Sequence, residues 1–242
     1  MRKIGADGLP TPEKVIGSGP VVDQLSIATV DSNEVVTAAN DSNNSLWVTT
    51  WGVDSAGVQF QEQVEKVNVV SRLAEDVGIG AGEVVRYSNK DGFPQPETVR
   101  SAFTPIINTD GNIEVFDWAI SPTGELTQTN TPVKSASINN FEVAACMAGP
   151  NIPITAFGND DGYVNIGSYG SPLASYSATS PRVPTDGISS IAASAAGTDY
   201  SVLHPFAANA YFVTAVNTYY GSSSVGTLEI REYSYPYVPP LF

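Results

Sequence analysis

Residues 35–51 read VVTAANDSNNSLWVTTW: an apolar strand, a polar turn and a second strand that ends in an aromatic residue. The same hairpin returns at 104–118 (TPIINTDGNIEVFDW), 154–169 (ITAFGNDDGYVNIGSY) and 212–233 (FVTAVNTYYGSSSVGTLEIREY). Asn-Asp and Asp-Gly turns between apolar stretches are typical of β-hairpins. A unit that recurs about every 50–65 residues indicates a repeat architecture, in which each unit packs on its neighbours.

Further apolar stretches flank the hairpins. The preceding ones are 25–30, 83–87, 141–146 and 188–194, and the following ones are 58–61, 125–128 and 173–176. Glycines lie in the turns between them, as tight hairpins require. We therefore expect four antiparallel units of four strands, although the fourth lacks an outer strand after Tyr233. A strand from the N-terminal segment could complete that unit and close a ring.

The first unit resembles degenerate β-propeller repeats, which have a V-T-A strand and a later L-x-V-x-x-W-x-V strand. The resemblance rests on Val36-Thr37-Ala38, on Leu46 to Val53 and on Gly57, and the second unit shares it. Tyr169 and Tyr233 replace the tryptophan in the third and fourth units. The resemblance implies an all-β fold, a small β-propeller of about four four-stranded blades in residues 23–234. A β-sandwich or jelly roll, which also has many short strands at regular spacing, is the alternative.

Both ends of the chain are rich in proline, which fixes its own φ and donates no backbone N–H. Residues 1–22 are expected to form an extended arm. Residues 235–242 (YPYVPPLF) are expected to form an apolar tail that docks on its own domain or on a neighbour. The residues expected to make the tail's contacts are Tyr235, Tyr237, Leu241 and Phe242.

Net charge excludes one class of partner. The 25 acidic and 11 basic residues give a charge of −14, and such a surface repels nucleic-acid phosphates. No window approaches the 18–20 apolar residues of a membrane-spanning helix. No secretory signal is visible behind Arg2 and Lys3. A polar surface made mainly by Ser, Thr, Asn and Gln favours an extracellular or particle-associated protein.

Few residues suggest a metal or cofactor site, and no cofactor is expected. His204 and Cys146 are each the only residue of their type, which excludes a His/Cys zinc site and an intrachain disulfide. Cys146 lies in an apolar run and is expected to be buried. The oxygen-rich turns at Asp110 and at Asp160 and Asp161 could hold calcium, but hairpin turns favour the same residues.

Neither acids nor glycines form a recognisable catalytic motif. Glu114 and Asp117 are three apart in one strand, so they point to opposite faces of a sheet. Glu75 and Asp76 are adjacent in a predicted loop, and no pair of acids suited to glycoside hydrolysis is visible. The run GIGAG at 78–82 lacks the lysine and the following helix of a phosphate-binding loop.

Aromatic residues are the strongest candidates for ligand contact. Trp47 and Trp51 are four apart in one strand and therefore share a face, and Trp118 aligns with Trp51. We expect these rings either to fill the space between blades or to stack on sugars or partner side chains. The candidate stacking residues are Trp51, Trp118, Tyr169, Tyr219 and Tyr220.

Three functions are compatible with the sequence. The first is a non-enzymatic structural or interaction subunit of a homo-oligomer, an extracellular fibre or virus-like particle, held together by the arms and a Tyr-rich surface. The second is a carbohydrate-binding, lectin-like propeller module, for which exposure of Trp51, Trp118 and Tyr169 is the test. The third is a carboxylate-based hydrolase, which needs two acids at one cleft.

Overall fold

The structure is a computed structural model of the whole chain. It describes residues 22–41, 45–53, 59–68, 74–90, 93–108, 112–129, 133–134, 140–149, 152–159, 164–169, 176–179, 187–200, 208–219 and 227–237. The regular elements in these ranges are all β-strands. None of the described segments forms a helix with the length and apolar character that crossing a membrane requires.

The strands form four antiparallel sheets that follow one another in chain order. The first sheet contains β1 (Val22–Thr29), β2 (Glu34–Asp41), β3 (Ser45–Val53) and β4 (Gln59–Asn68). The second contains β5 (Ala74–Val77), β6 (Gly80–Lys90), β7 (Phe93–Asn108), β8 (Ile113–Ile120), β9 (Leu126–Gln128) and β10 (Val133–Lys134). The third contains β11 (Asn140–Gly149), β12 (Ile152–Asn159), β13 (Val164–Tyr169) and β14 (Tyr176–Thr179). The fourth contains β15 (Gly187–Tyr200), β16 (Ala208–Tyr219) and β17 (Thr227–Tyr237).

This arrangement confirms the all-β class and a series of antiparallel units, but the expected four strands in each unit are wrong for the second sheet, which has six in the described part of the chain. Four sheets in series are not the two facing sheets of a sandwich, so the alternative fold is wrong. The fourth sheet has three strands within the described residues. β17 continues through Tyr237, three residues into the expected tail, and Pro236 is tolerated there because β17 is an edge strand. The expected arm up to residue 21 and the tail from residue 238 lie outside the described residues.

One register recurs in all four sheets. A threonine in the first strand of each hairpin pairs with a residue that lies two positions before the aromatic end of the second strand. The four threonine pairs are Thr37↔Thr49, Thr104↔Phe116, Thr155↔Gly167 and Thr214↔Arg231. The aromatic residues two positions later are Trp51, Trp118, Tyr169 and Tyr233. Directly opposed residues point to the same face of a sheet, so each sheet has a threonine side and a reverse side.

The core lies between consecutive sheets. The reverse side of the first sheet packs on the threonine side of the second, through Val36, Ala38, Leu46 and Val48 against Ala102, Ile106, Phe116 and Trp118. The reverse side of the second sheet packs on the threonine side of the third, through Phe103, Ile107, Ile113 and Val115 against Val143, Ala145 and Phe157. β11 and β12 of the third sheet pack in turn on β15 of the fourth.

The glycine run 78–82 allows the second and third sheets to approach closely. Gly78 interrupts the strand between β5 and β6, and its N–H donates to the carbonyl of Pro105 at 2.9 Å. A Cβ added at Gly80 would overlap the ring of Phe103 and lie 3.0 Å from the backbone carbonyl carbon of Cys146. These glycines are therefore packing residues, in agreement with the absence of a phosphate-loop motif.

Candidate functional site

Among the residues that the structure describes, no sheet precedes the first one, so its threonine side has no sheet packed on it. We call this surface the first-sheet outer face; it comprises Leu25, Ile27, Val35, Thr37, Trp47 and Trp51. The exposed fractions are 64% for Leu25 and 65% for Ile27. Trp47 and Trp51 are half-buried. Within the described residues, this is where tryptophan rings reach the surface.

Hydrogen bonds fix the orientation of both indoles. Trp51 Nε1 donates to Thr37 Oγ1 at 2.9 Å, and Trp47 Nε1 donates to Asp41 Oδ2 at 2.8 Å. The other carboxylate oxygen of Asp41 accepts the backbone N–H of Ser45 at 3.0 Å, which holds the carboxylate in place. The result is a preorganised apolar surface with two oriented aromatic rings and polar atoms at its edge.

Trp118 is not available for ligand stacking. It occupies the position of Trp51 in the second sheet, but the first sheet covers it and leaves 1% exposed. Its ring lies beside Phe116 with centroids 6.4 Å apart, and its Nε1 donates to Thr104 Oγ1 at 3.0 Å. The interpretation of Trp118 as a stacking residue is therefore withdrawn, because the indole is part of the core between two sheets.

The remaining candidates are only partly described. Tyr169 and Tyr219 end β13 and β16, and Tyr235 and Tyr237 lie in β17, but only their backbone is described. Tyr220, Leu241 and Phe242 lie outside the described residues. The oxygen-rich turn residues Asp110, Asp160 and Asp161 also lie outside them, as does His204. Within the described residues, no group of three or more His, Cys, Asp or Glu side chains could hold a metal ion.

An arginine joins the first two sheets. Arg100 on β7 donates to Asp31 Oδ2 at 3.3 Å, to the buried carboxylate of Glu34 and to the carbonyl oxygen of Ser121. The turn that begins at Ser121 includes Gly124, whose φ of 77° suits glycine. No local sequence pattern indicates this cluster, since Arg100 is 66 residues from Glu34.

Two acids come together between the second and third sheets. Asp76 accepts the backbone N–H of Val77 at 2.8 Å and that of Val143 at 2.6 Å, one on each carboxylate oxygen. Burial raises the pKa of Asp76 to about 6, against the lowering effect of these two hydrogen bonds. Burial also raises the pKa of Glu142, with a further contribution from the charge of Asp76, to about 7.

This acid pair was missed because its members are far apart in sequence and belong to different repeats. One sequence feature indicated burial of Asp76: it directly precedes Val77 and Ile79, which lie in the core between sheets. The pair differs from an open pair of catalytic acids, because Asp76 is buried and both of its oxygens accept backbone N–H groups. Cys146 is buried as expected, and burial raises the pKa of its thiol to about 12, which makes it unreactive.

No protein family and no curated protein sequence matches this chain. Several solved structures match its fold. A triple arginine-to-alanine mutant of AofleA from Arthrobotrys oligospora is 11% identical with a TM-score of 0.51, and the match covers 89% of this chain and 56% of that chain. The Hadza microbial sialidase Hz136 is 11% identical with a TM-score of 0.50, covering 86% of this chain and 42% of that chain.

The Aleuria aurantia lectin, a fungal lectin with a six-bladed β-propeller fold and fucose recognition, is 12% identical with a TM-score of 0.37; the match covers 85% of this chain and 78% of the lectin. At such identities these comparisons concern fold alone. The chain has an all-β, propeller-like architecture of four antiparallel sheets in series, similar in fold to AofleA. It spans little more than half of the AofleA chain and less than half of the sialidase chain.

Proposed function

We propose that this protein is a non-enzymatic carbohydrate-binding module that holds glycans against Trp47 and Trp51 on the first-sheet outer face. The observation that carries the proposal is that both indoles are half-buried and fixed in orientation by hydrogen bonds to Asp41 and Thr37. A sugar ring has an apolar C–H face and polar hydroxyls around its edge. Oriented aromatic rings with polar atoms beside them match both features.

Preorganisation favours binding at this surface. A ligand that stacks on Trp51 meets a ring whose rotamer is already set, so little side-chain entropy is lost on binding. Thr29 is exposed and follows Leu25 and Ile27 on the same face, where its hydroxyl can donate to or accept from a sugar hydroxyl. The first-sheet outer face therefore offers both stacking and hydrogen-bonding groups.

The fold comparisons support a glycan ligand at the level of architecture. One of the similar structures is named as a sialidase, an enzyme that acts on glycans. The acid pair of Asp76 and Glu142 does not suit hydrolysis, because one oxygen of Asp76 accepts the N–H of Val77 within β5 and the other accepts the N–H of Val143 on β11. A hydrolytic pair needs acids that can reach a sugar in a cleft.

A second candidate, the interaction subunit of a larger assembly, is favoured by one separate observation. Large aliphatic side chains are exposed at both ends of the series of sheets: Leu25 and Ile27 on the first, Leu228 and Ile230 on the fourth. Clustered exposed apolar side chains are typical of protein–protein contact surfaces. The two candidates are compatible, since a glycan-binding module can also assemble.

A glycan array tests the proposed function. The native chain is screened beside Trp47→Ala, Trp51→Ala and the control Phe93→Ala, which removes an exposed aromatic ring from a different sheet. We expect binding to one group of glycans that both tryptophan variants lose and the control retains. Absence of binding to any glycan, or binding that survives both tryptophan substitutions, would refute the proposal.

A further inference from the structure

Every junction between consecutive sheets uses the same two surfaces. The reverse side of one sheet packs on the threonine side of the next, first to second and second to third, as the two core clusters show. At the third junction, the described positions on the threonine side of the fourth sheet are covered. There Thr214 is fully buried, and Ile191 and Ala193 are half-buried.

Two surfaces of opposite kind are left over at the ends of this series. In the described part of the chain, the first-sheet outer face is a threonine side with no reverse side against it. In the same described part, the reverse side of the fourth sheet is uncovered. We call it the fourth-sheet outer face; it comprises Ala192, Ser194, Val213, Ala215, Leu228, Ile230 and the exposed Glu232. Leu228 is 66% exposed and Ile230 is 72% exposed. Within the described residues, the first and fourth sheets do not pack on each other as consecutive sheets do.

We propose that copies of this chain associate head to tail, with the fourth-sheet outer face of one copy packed on the first-sheet outer face of the next. The contact would repeat the junction that already joins the sheets within the chain, with Ile230 and Leu228 on one side and Ile27, Leu25 and Trp51 on the other. A second copy fits better than an unrelated protein, because each copy supplies both members of a surface pair that the fold already uses.

The chemistry of the two faces supports this occupant. Charged residues are few on the two faces: Glu232 lies opposite Val213 on the fourth sheet, and Lys66 lies opposite Trp47 on the first, although the chain as a whole has a charge of −14. Repulsion between whole chains opposes association at low salt, whereas burial of aliphatic side chains favours it. Added salt screens the repulsion and leaves the apolar contact in place. Association is therefore expected to strengthen as salt concentration rises.

The contact is heterologous, since two different surfaces meet, so it generates a ring or an open filament. It also affects the proposed function. In the second sheet the preceding sheet buries Trp118 completely, and a second copy would cover Trp51 in the same way. Glycan and second copy would then compete for the first-sheet outer face. The association itself is independent of glycan binding, so failure of either proposal leaves the other testable.

Light scattering on the full-length chain tests the association over a range of protein and salt concentrations. Four proteins are compared: the native chain, Ile27→Asp, Ile230→Asp and the control Phe93→Asp, which places the same charge at an exposed apolar position of the second sheet. We expect the native chain and the control to exceed the 25.5 kDa chain mass increasingly with concentration. Ile27→Asp and Ile230→Asp should each stay monomeric when alone, because each variant keeps only one of the two outer faces intact.

An equimolar mixture of Ile27→Asp and Ile230→Asp should give a species at twice the chain mass, since one intact pair of faces remains between them. Circular dichroism establishes that both variants are folded, and Ile27→Ser with Ile230→Ser is the milder pair if either is not. A native chain that is monomeric under all conditions overturns the proposal. Assembly that survives both substitutions, or a mixture that stays monomeric, also overturns it.

Discussion

Trp118 donates its indole N–H to the hydroxyl of Thr104, 3.0 Å away on the neighbouring strand, and both residues are buried between two sheets. Trp51 and Thr37 repeat this hydrogen bond at 2.9 Å in the first sheet. Tyrosine occupies the equivalent position in the third and fourth sheets. Thr155 and Thr214 there are fully buried, and their hydroxyls have no hydrogen-bond partner among the described residues.

This relationship predicts opposite effects for one substitution at two equivalent sites. Thr104→Val should lower the free energy of unfolding by about 1–3 kcal/mol, because it leaves the buried Trp118 N–H without an acceptor. Thr155→Val should leave stability unchanged or raise it, because it replaces an unpaired hydroxyl by a methyl group of similar size. Urea unfolding of the two variants measures both effects. An equal decrease in the free energy of unfolding for both variants would show that the indole hydrogen bond does not stabilise the repeat.

The glycine run gives a second matched pair. Gly80→Ala should destabilise by about 1–3 kcal/mol, since the new methyl group meets the buried ring of Phe103 and the backbone of Cys146. Gly82→Ala should lower the free energy of unfolding by less. Its added Cβ would lie 3.2 Å from Cγ of Met147, and this flexible side chain can move. Thermal unfolding of both variants is the measurement. A larger loss for Gly82→Ala would contradict close packing at Gly80.

The arginine that joins the first two sheets should be necessary for stability. Arg100→Met removes the partner of the buried Glu34 carboxylate and should cost about 3 kcal/mol. Arg100→Lys keeps the charge but not the several donors of the guanidinium, so we expect an intermediate loss. Chemical unfolding at neutral pH compares the three proteins. A stability of Arg100→Met equal to that of the native chain would exclude a stabilising role.

The acid pair predicts a pH-dependent effect. The pKa values of Asp76 and Glu142 in the folded chain are raised to about 6 and about 7. The folded state therefore binds protons more strongly than the unfolded state, and the stability contributed by this pair falls as pH rises from about 4 to about 7. Glu142→Gln removes one of the two charges and should be more stable than the native chain at pH 8.

The advantage of Glu142→Gln should vanish near pH 4, where the native Glu142 is itself protonated. Melting temperatures of both proteins across this range give the difference. Glu125→Gln, a substitution at an exposed carboxylate in a turn, is the control and should show no such trend. A difference between Glu142→Gln and the native chain that does not change with pH would show that the pair is not strained when ionised.

The sequence is sufficient for the repeat, whereas the pairing register of the strands comes from the structure. Turn chemistry and apolar alternation placed the hairpins, and the spacing of Trp47 and Trp51 placed both rings on one face. It was not sufficient to tell Trp51 from Trp118. Trp51 and Trp118 occupy the same position at the end of their hairpins. Only the position of a sheet in the series decides whether its threonine side is covered.

Contacts between repeats could not be predicted either. Asp76 reaches Val143, and Arg100 reaches Glu34, across 67 and 66 residues of sequence. The sequence of the glycine run 78–82 shows that it is unsuited to phosphate binding. Its packing role depends on the third sheet, which only the fold brings near. Local patterns therefore defined the sheets, whereas the chemistry between sheets depends on tertiary packing.

Tryptophan fluorescence during titration with a glycan tests the central claim most directly. The ligand is the strongest array binder, and the proteins are the native chain and Trp51→Phe, with Phe93→Ala as control. We expect a saturable change in fluorescence for the native chain and the control, and at least tenfold weaker binding for Trp51→Phe. A glycan that binds Trp51→Phe as tightly as the native chain would contradict the account, because its site would then lie away from the first-sheet outer face.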